Sequence, residues 1–389
     1  MIKKTVILLA VSLLSINVGA QNISSSKAFD IAQEFMSKKG VKLSQRSNTR
    51  GESDCSIFTG EDGKGFAIVK DGIVVCYSTD GTTPECLVMA NTRTFELTPK
   101  TPIEPLIKCQ WNQSYPYNIN MPMHHDGWEM HYLTGCVTAA LAQVVYYYKN
   151  PGCDALPAYS AGLEEIDALP ATTFDWNLIL PYYEHIDPDK DDGIYTKEEE
   201  EVAKLFQYIA SAIKVEYYSN NMAGSCGLIE DFVKPLGFSE EKSYSTVGKM
   251  LSDEELEEIF DRELEQGRPV MMCGMNKDYQ GGHCIVVDGR DDTGRYHVAE
   301  GKQSGYYIMS KEMLLSGEEG VYYYMTNVVC IVPIMPDGWV IPTYSTDIKT
   351  PTTRNDDSVY NLQGQKVGNT LDNIPSGVYI KGGKKYIVK

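Results

Sequence analysis

The sequence has no pair of cysteines spaced as C-x-x-C, although it contains 10 cysteines among 389 residues. Structural zinc sites are commonly built from such pairs, so their absence argues against a zinc-binding module. Several cysteines lie inside apolar runs such as GIVVCYS, VMMCGM and HCIVVDG, which is typical of small buried side chains. The pattern leaves any disulfide pairing open.

Positive charge is also scarce. The chain carries 35 lysines and arginines against 53 acidic residues, a formal net charge of -18 at pH 7, and no basic stretch interrupts this excess. A surface of this sign repels nucleic acids and anionic membranes. We therefore expect no nucleic-acid partner.

Long apolar runs are missing after the N-terminus. Residues 1–20 combine the charged start MIKK, the apolar run TVILLAVSLLSINV and a small-residue ending. This arrangement is typical of a secretory signal peptide and is short for a membrane span. We expect a protein without a membrane span that is secreted, periplasmic or at the cell surface.

Residues 21–105 have a pattern of their own. Apolar residues recur at helical spacing in SSSKAFDIAQEFMSK, and strand-like runs such as CSIFTG and GFAIVKDGIVVCYS follow with glycine turns between them. This order predicts a small, separate α+β unit. The proline-rich stretch LTPKTPIEP, residues 97–105, is typical of a linker or processing region.

Residues 106–342 begin with helical patterns and end with strand patterns. The helical stretches include CVTAALAQVVYYY, KEEEEVAKLFQYIASAIK and SDEELEEIFDRELEQG, and the strand-like ones include PVMMCGM, HCIVVDGRD, RYHVAEG and GYYIMS. Helices followed by antiparallel strands indicate an α+β domain. Residues 343–389 start like a linker and continue with short strand-like runs, which predicts a β tail.

Cys136 opens the first of these helical patterns, directly after Thr134 and Gly135. The unpaired N–H groups and partial positive charge of a helix N-terminus stabilise a thiolate, which is the reactive form of cysteine. Taken alone, however, the position is more typical of a small buried cysteine than of a nucleophile.

Two further residues could complete a reactive site. His283 follows two glycines and precedes an apolar strand, and a neutral imidazole beside a thiol can take its proton. Gln113 lies in the loop motif WNQSYPYN, where its amide could donate to an oxyanion together with the N–H of Cys136. A lone histidine at a strand end or a lone glutamine in a loop establishes no site by itself.

Together these stretches resemble the streptopain-like cysteine peptidases, secreted zymogens with a papain-like fold. The resemblance runs from about residue 106 to 335 and rests on WNQSYPYN, TGCVTAALAQVVYYYKNP, TFDWNLI, GRPVMMCGMN and GGHCIVVDG followed by YHV. It implies that Cys136 is the nucleophile, His283 the general base and acid, and Gln113 the oxyanion donor, with no cofactor or metal.

The resemblance also assigns the remaining segments. It implies polypeptide substrates for a catalytic domain at residues 106–342 and makes residues 21–105 an inhibitory prodomain with a processing linker. The tail at 343–389 is similar to C-terminal sorting segments of exported proteins.

One departure from the family follows the YHV motif. Where the family carries Asn-Trp-Gly-Trp-Gly, whose aromatic rings shelter and orient the histidine, this chain reads AEGKQ at residues 299–303. The loss makes an inactive relative that acts as a binding or inhibitory protein the first alternative to a peptidase. A cell-wall amidase with a Cys–His pair is the second alternative. The prodomain favours the peptidase.

Carboxylates near His283 raise further alternatives. Antiparallel pairing of HCIVVDG with RYHVAEG would bring Glu300 next to His283, where its carboxylate could accept a hydrogen bond from the imidazole. A solvent-exposed loop glutamate is the alternative. Asp288 is expected to end a strand rather than to orient the ring.

The motif DPDKDDGIYTKE, residues 187–198, has acidic residues at calcium-loop offsets but its glycine comes one position late, so we expect a solvated loop.

Overall fold

The computed structural model divides the chain into two compact units, Met1–Trp339 and Val340–Lys389. It describes residues 24–47, 55–70, 72–81, 97–124, 130–150, 152–183, 193–218, 223–224, 232–246, 251–275, 282–301, 306–310, 314, 327–332, 334–336, 359–361, 366–368, 370, 377–381 and 384–388. The signal-peptide prediction for residues 1–20 and the acidic positions of the calcium-like motif at 187–192 lie outside these ranges.

The described helices are α1 (Ser25–Ser37), α2 (Cys136–Tyr148), α3 (Lys197–Ala212) and α4 (Asp253–Glu265). Three of them begin at a polar cap, because the hydroxyls of Ser24, Thr196 and Ser252 accept a first-turn main-chain N–H. All four lie where the periodicity of apolar residues predicts them.

The strands of the first unit are, in chain order, β1 (Leu43–Ser47), β2 (Cys55–Gly60), β3 (Phe66–Lys70), β4 (Ile73–Ser78), β5 (Gly152–Cys153), β6 (Tyr159–Ala161), β7 (Glu164–Ile166), β8 (Thr172–Thr173), β9 (Glu216–Tyr217), β10 (Ala223–Gly224), β11 (Tyr244–Ser245), β12 (Val270–Met275), β13 (Gly282–Arg290), β14 (Tyr296–Ala299), β15 (Tyr306–Met309) and β16 (Asn327–Val332). Ten of them form one antiparallel sheet in the order β1-β2-β3-β4-β15-β14-β13-β12-β16-β11. The short strands β5–β10 pair among themselves. The α+β prediction is confirmed.

The N-terminal segment, residues 24–81, does not form a sheet of its own. Its last strand, β4, pairs with β15, so that Tyr77 lies opposite Ile308 and Cys76 opposite Met309. The sequence predicted a separate unit here. The structure differs because β15 offers a free edge to β4, and the sheet continues from one segment into the other.

Helices cover this sheet and create a shared core. Helix α1 packs on β1–β4, whereas α2 and α4 pack on β12 and β13. One apolar cluster contains Phe66 and Cys76 of the N-terminal segment together with Phe260, Tyr296 and Tyr307 of the later strands. The rings of Phe66 and Tyr307 lie 5.7 Å apart. The two segments therefore share buried apolar surface as well as hydrogen bonds.

Strands β12 and β13 are joined covalently. Cys273 lies opposite Cys284 in the register of these strands, and the two form a disulfide. The sequence suggested two small buried thiols and left pairing open. The disulfide follows from cross-strand pairing, which the apolar runs around the two cysteines do not reveal.

The second unit is a small antiparallel sheet. Its strands are β17 (Val359–Asn361), β18 (Lys366–Gly368), β19 (Gly377–Lys381) and β20 (Lys384–Val388), in the order β18-β17-β19-β20. This sheet agrees with the predicted β tail. Across the parts of the chain that the structure describes, no helix combines the length and apolar character needed to cross a bilayer.

Because the core is shared, a destabilising substitution in the N-terminal segment should also destabilise the later strands. We expect Phe66→Ala, at a fully buried position, to lower the free energy of unfolding by about 3–5 kcal/mol. Tryptophan fluorescence in denaturant is a selective readout, because all four tryptophans lie after residue 105. A tryptophan transition with an unchanged midpoint would mean that the N-terminal segment unfolds independently. Phe29→Ala is the matched control: Phe29 is half-buried on α1 and lies outside the shared cluster, so this variant should shift the tryptophan transition less than Phe66→Ala.

Candidate active site

Cys136 is the first residue of helix α2. Gly135 is the N-cap residue, and its φ of 84° lies in the region that glycine adopts readily. No side chain of the cap forms a hydrogen bond with the first-turn N–H groups. Behind the cysteine, the next helical residues are almost all buried in the main core. The start of the helix is thus fixed by packing, and its positive end lies at the Cys136 thiol.

Burial separates Cys136 from the other reduced cysteines that the structure describes. Cys136 is half-buried, whereas the others, Cys55, Cys76, Cys109 and Cys153, are buried. Burial raises the pKa of Cys153 to about 12 and raises the pKa of Cys76 and of Cys109 well above the ordinary thiol value. Those three thiols stay protonated at neutral pH, so Cys136 is the described thiol best placed to react.

Gln113 is held next to the start of α2 by its own main chain. Its carbonyl oxygen accepts the N–H of Thr134 at 3.1 Å, two residues before Cys136. Its side-chain Nε2 donates to the main-chain oxygen of Gly301 at 3.1 Å. An amide nitrogen carries two hydrogens, so this contact orients the group while the second hydrogen can serve a substrate oxygen.

His283 is the second residue of β13 and is only 4% exposed. Its Nε2 lies 3.1 Å from the main-chain oxygen of Glu300. A carbonyl oxygen can only accept, so Nε2 must carry the proton in this contact. The neutral ring then keeps Nδ1 as its basic nitrogen, which is the state required of a proton acceptor.

The dipeptide Glu300-Gly301 connects these elements. The Glu300 carbonyl meets His283, and the Gly301 carbonyl meets Gln113. Gly301 also lies against α2, since a Cβ added there would be 3.3 Å from the Cβ of Ala139, one turn after Cys136. Two successive peptide groups therefore hold the histidine and the glutamine beside the helix that Cys136 begins.

The hairpin predicted for β13 and β14 is confirmed, with Val286 opposite Ala299. The contact to His283 nevertheless comes from the main chain of Glu300 rather than from its carboxylate. Glu300 directly follows the last residue of β14, so its carbonyl is not used in the pairing of β14 and can meet the ring of His283. The alternative of a solvent-exposed glutamate is wrong, because Glu300 is 3% exposed.

Asp288 is fully buried within β13, two residues before the strand ends at Arg290. Its carboxylate accepts the N–H of Ile107 at 2.7 Å and lies 2.6 Å from Nδ1 of His297. It therefore supports the sheet and does not contact His283. Gly301 was not predicted to contribute to the site, and in the sequence it appeared only as the last residue of the predicted strand RYHVAEG.

Comparison with known proteins shows the family of this chain. A family model described as Peptidase C10 family matches residues 111–307, a span that contains Gln113, Cys136 and His283. The chain belongs to the peptidase C10 family. The resemblance to streptopain-like cysteine peptidases is thereby confirmed.

Two curated relatives show the extent of the likeness. Streptopain from Streptococcus pyogenes serotype M1 is 26% identical over 207 residues, which cover 48% of this chain and 49% of streptopain. The thiol protease/hemagglutinin PrtT from Porphyromonas gingivalis is 23% identical over 198 residues, which cover 48% of this chain and 21% of that protein. The match thus spans about half the length of streptopain.

A solved structure extends the comparison to the fold. A fragment of prointerpain A from Prevotella intermedia matches with a TM-score of 0.57 at 19% identity, covering 76% of this chain and 99% of that structure. Identity at this level reports on architecture. The predicted papain-like fold is confirmed.

The close packing of Gly301 leads to a stability prediction. We expect Gly301→Ala to destabilise the first unit by more than the roughly 1–2 kcal/mol that a left-handed φ costs, because the added methyl group would also crowd Ala139. Gly40→Ala is the matched control, since Gly40 has φ +80° and nothing within 4 Å of its added Cβ. Denaturant unfolding measures both variants, and equal losses would mean that Gly301 is not tightly packed against α2.

Proposed function

We propose that this protein is a cysteine endopeptidase made as a zymogen, with Cys136 as nucleophile, His283 as general base and acid, and Gln113 as oxyanion donor. The observation that carries the proposal is the pair of main-chain contacts at residues 300 and 301, which orient His283 and Gln113 beside the helix of Cys136. Membership of the peptidase C10 family supports the same chemistry. The substrates are polypeptides, and no cofactor or metal takes part.

The reaction begins with proton transfer from the Cys136 thiol to Nδ1 of His283. The resulting thiolate is stabilised by the N-terminus of α2 and attacks the carbonyl carbon of the scissile peptide bond. The oxyanion that develops accepts hydrogen bonds from Nε2 of Gln113 and from the N–H of Cys136. The intermediate collapses when the imidazolium returns its proton to the leaving amine, which forms the acyl-enzyme.

Water then resolves the acyl-enzyme. His283 takes a proton from the water as it attacks the thioester, a second oxyanion forms, and the Cys136 sulfur leaves and is reprotonated. In both half-reactions the Glu300 carbonyl accepts the Nε2–H of His283, so it orients the ring and stabilises its charged form. This main-chain contact does not need an aromatic side chain at position 300, which favours an active enzyme over an inactive relative.

The other segments have separate roles in this proposal. Residues 1–20 direct export to the periplasm, the cell surface or the medium. Residues 21–105 form an inhibitory prodomain, a role supported by the β4–β15 pairing and the shared core. The catalytic domain follows to residue 342, and the tail at 343–389 serves in sorting without a part in catalysis.

The nucleophile is tested by removing its sulfur. We expect Cys136→Ala to lower the rate of casein hydrolysis by at least about a thousandfold and to abolish labelling by a thiol-directed epoxide inhibitor, while thermal unfolding stays unchanged. Cys153→Ala, at a buried thiol, should keep both activities. Labelling that persists in the Cys136→Ala protein would assign the reactive thiol elsewhere, and hydrolysis of peptidoglycan without hydrolysis of casein would favour an amidase.

The role of residue 300 gives a second test. Because the atom that meets His283 belongs to the main chain, we expect Glu300→Gln to keep the rate of peptide hydrolysis within about twofold and to leave the acid limb of the pH–rate profile in place. A tenfold lower rate, about 1.4 kcal/mol of barrier, together with a shift of that limb to lower pH would assign the orienting role to the carboxylate instead.

A further inference from the structure

The segment that the sequence marked as a processing linker is bound to the catalytic domain. Residues 98–107, called the strap below, lie along β13 beyond Val287, where pairing with β12 ends. Ile103 donates its N–H to the Arg290 carbonyl at 2.8 Å and accepts the Arg290 N–H at 3.0 Å. Leu106 donates to the Asp288 carbonyl at 2.9 Å. The strap thus takes the place of a neighbouring strand at this edge.

Two glycines of the catalytic domain make room for the strap. A Cβ at Gly289 would lie 2.8 Å from the Ile103 oxygen, and a Cβ at Gly294 would lie 2.4 Å from the Thr98 oxygen. Contacts this short are incompatible with a side chain, so only glycine allows the strap to approach at both points. The hairpin of β13 and β14 therefore accommodates the strap at both points.

The strap also supplies a partly buried charge. Nζ of Lys100 donates to Asp261 Oδ2 at 2.6 Å and to Glu257, both on α4, and its side chain is 15% exposed. Although burial opposes it, hydrogen bonds from Lys100, Tyr296 and Arg290 hold the pKa of Asp261 below its ordinary value. Removal of the strap would leave these two carboxylates without their lysine partner.

A third contact concerns the interior of the sheet. The carboxylate of Asp288 is fully buried and accepts the N–H of Ile107 at 2.7 Å. Arg290, which is also buried, donates from Nε to the Thr101 oxygen at 2.8 Å. Asp288 also contacts His297, and Arg290 also pairs with Asp261 and Glu265. Loss of residues 98–107 would therefore remove one hydrogen-bond partner from each of these buried charged groups, and a lost hydrogen bond to a buried charged group is destabilising.

We propose that maturation cuts the chain before Thr98 and that the strap remains on the mature enzyme as its N-terminal segment. A protease binds several residues of extended chain in its cleft, and a segment whose main chain is already hydrogen-bonded must first be pulled away. The boundary of the catalytic domain then lies at about residue 98 rather than 106. This inference rests on the proposed zymogen.

The position of the new N-terminus tests the inference directly. The full-length protein is allowed to mature, and N-terminal sequencing with intact-mass analysis identifies the product. We expect a product that contains all of residues 98–107. A mature N-terminus at residue 99 or at any later residue would overturn the proposal.

A second experiment keeps the strap testable without self-processing. Full-length Cys136→Ala protein is treated under native conditions with subtilisin, a protease of broad specificity. We expect cleavage within residues 98–107 to be at least tenfold slower than in the same protein after denaturation, and a smaller difference would overturn the proposal. A protected strap combined with no self-processing of the unmodified protein would count against the peptidase function but support the strap.

The anchoring lysine provides a matched pair of variants. In the Cys136→Ala protein we expect Lys100→Ala to raise the rate of subtilisin cleavage within residues 98–107 at least tenfold. Lys108→Ala changes an exposed lysine just beyond the strap and should leave that rate unchanged. Equal protection in the two variants would overturn the role of Lys100 as the anchor.

Discussion

Two successive peptide carbonyls, those of Glu300 and Gly301, carry the geometry on which the site depends. The first accepts from the ring of His283 and the second from the amide of Gln113. The same dipeptide lies against α2 at Ala139. Because peptide groups are rigid and planar, the distance between these two carbonyl oxygens restrains the distance between the imidazole and the amide that donate to them. A main chain that continues directly from β14 therefore holds side chains from two distant parts of the sequence beside α2.

The contact to His283 does not depend on the identity of the side chain at position 300. The side chains at 300 and 302 are Glu and Lys, at positions where the resemblance to the family implies tryptophans. An orienting contact made by the backbone persists through such replacements, whereas one made by a side chain does not. The arrangement instead requires glycine at position 301, because its positive φ and its close neighbour Ala139 disfavour larger residues.

Local signals explain which features could be predicted from the sequence. The serine and threonine caps, the helix of Cys136 and the hairpin of β13 and β14 all follow from residues close to one another in the chain. The pairing of β4 with β15, the disulfide Cys273–Cys284 and the contacts of the strap connect residues that are distant in sequence or hidden in uniform apolar runs. Hydrophobic periodicity indicates which face of a strand is buried but does not name its neighbour. For the same reason the carboxylate of Glu300 was considered for His283, while its carbonyl makes the contact.

The order of strands in the sheet also separates the proposed prodomain from the strand of His283. Removal of the N-terminal segment would turn β15 into an edge strand, yet β14 still lies between β15 and the strand of His283. Strand β13 has its own supports at both ends. The disulfide of Cys284 joins it to β12 beside His283, and the strap pairs with it at Arg290. If the strap stays, β13 keeps these neighbours when the N-terminal segment leaves the far edge of the sheet.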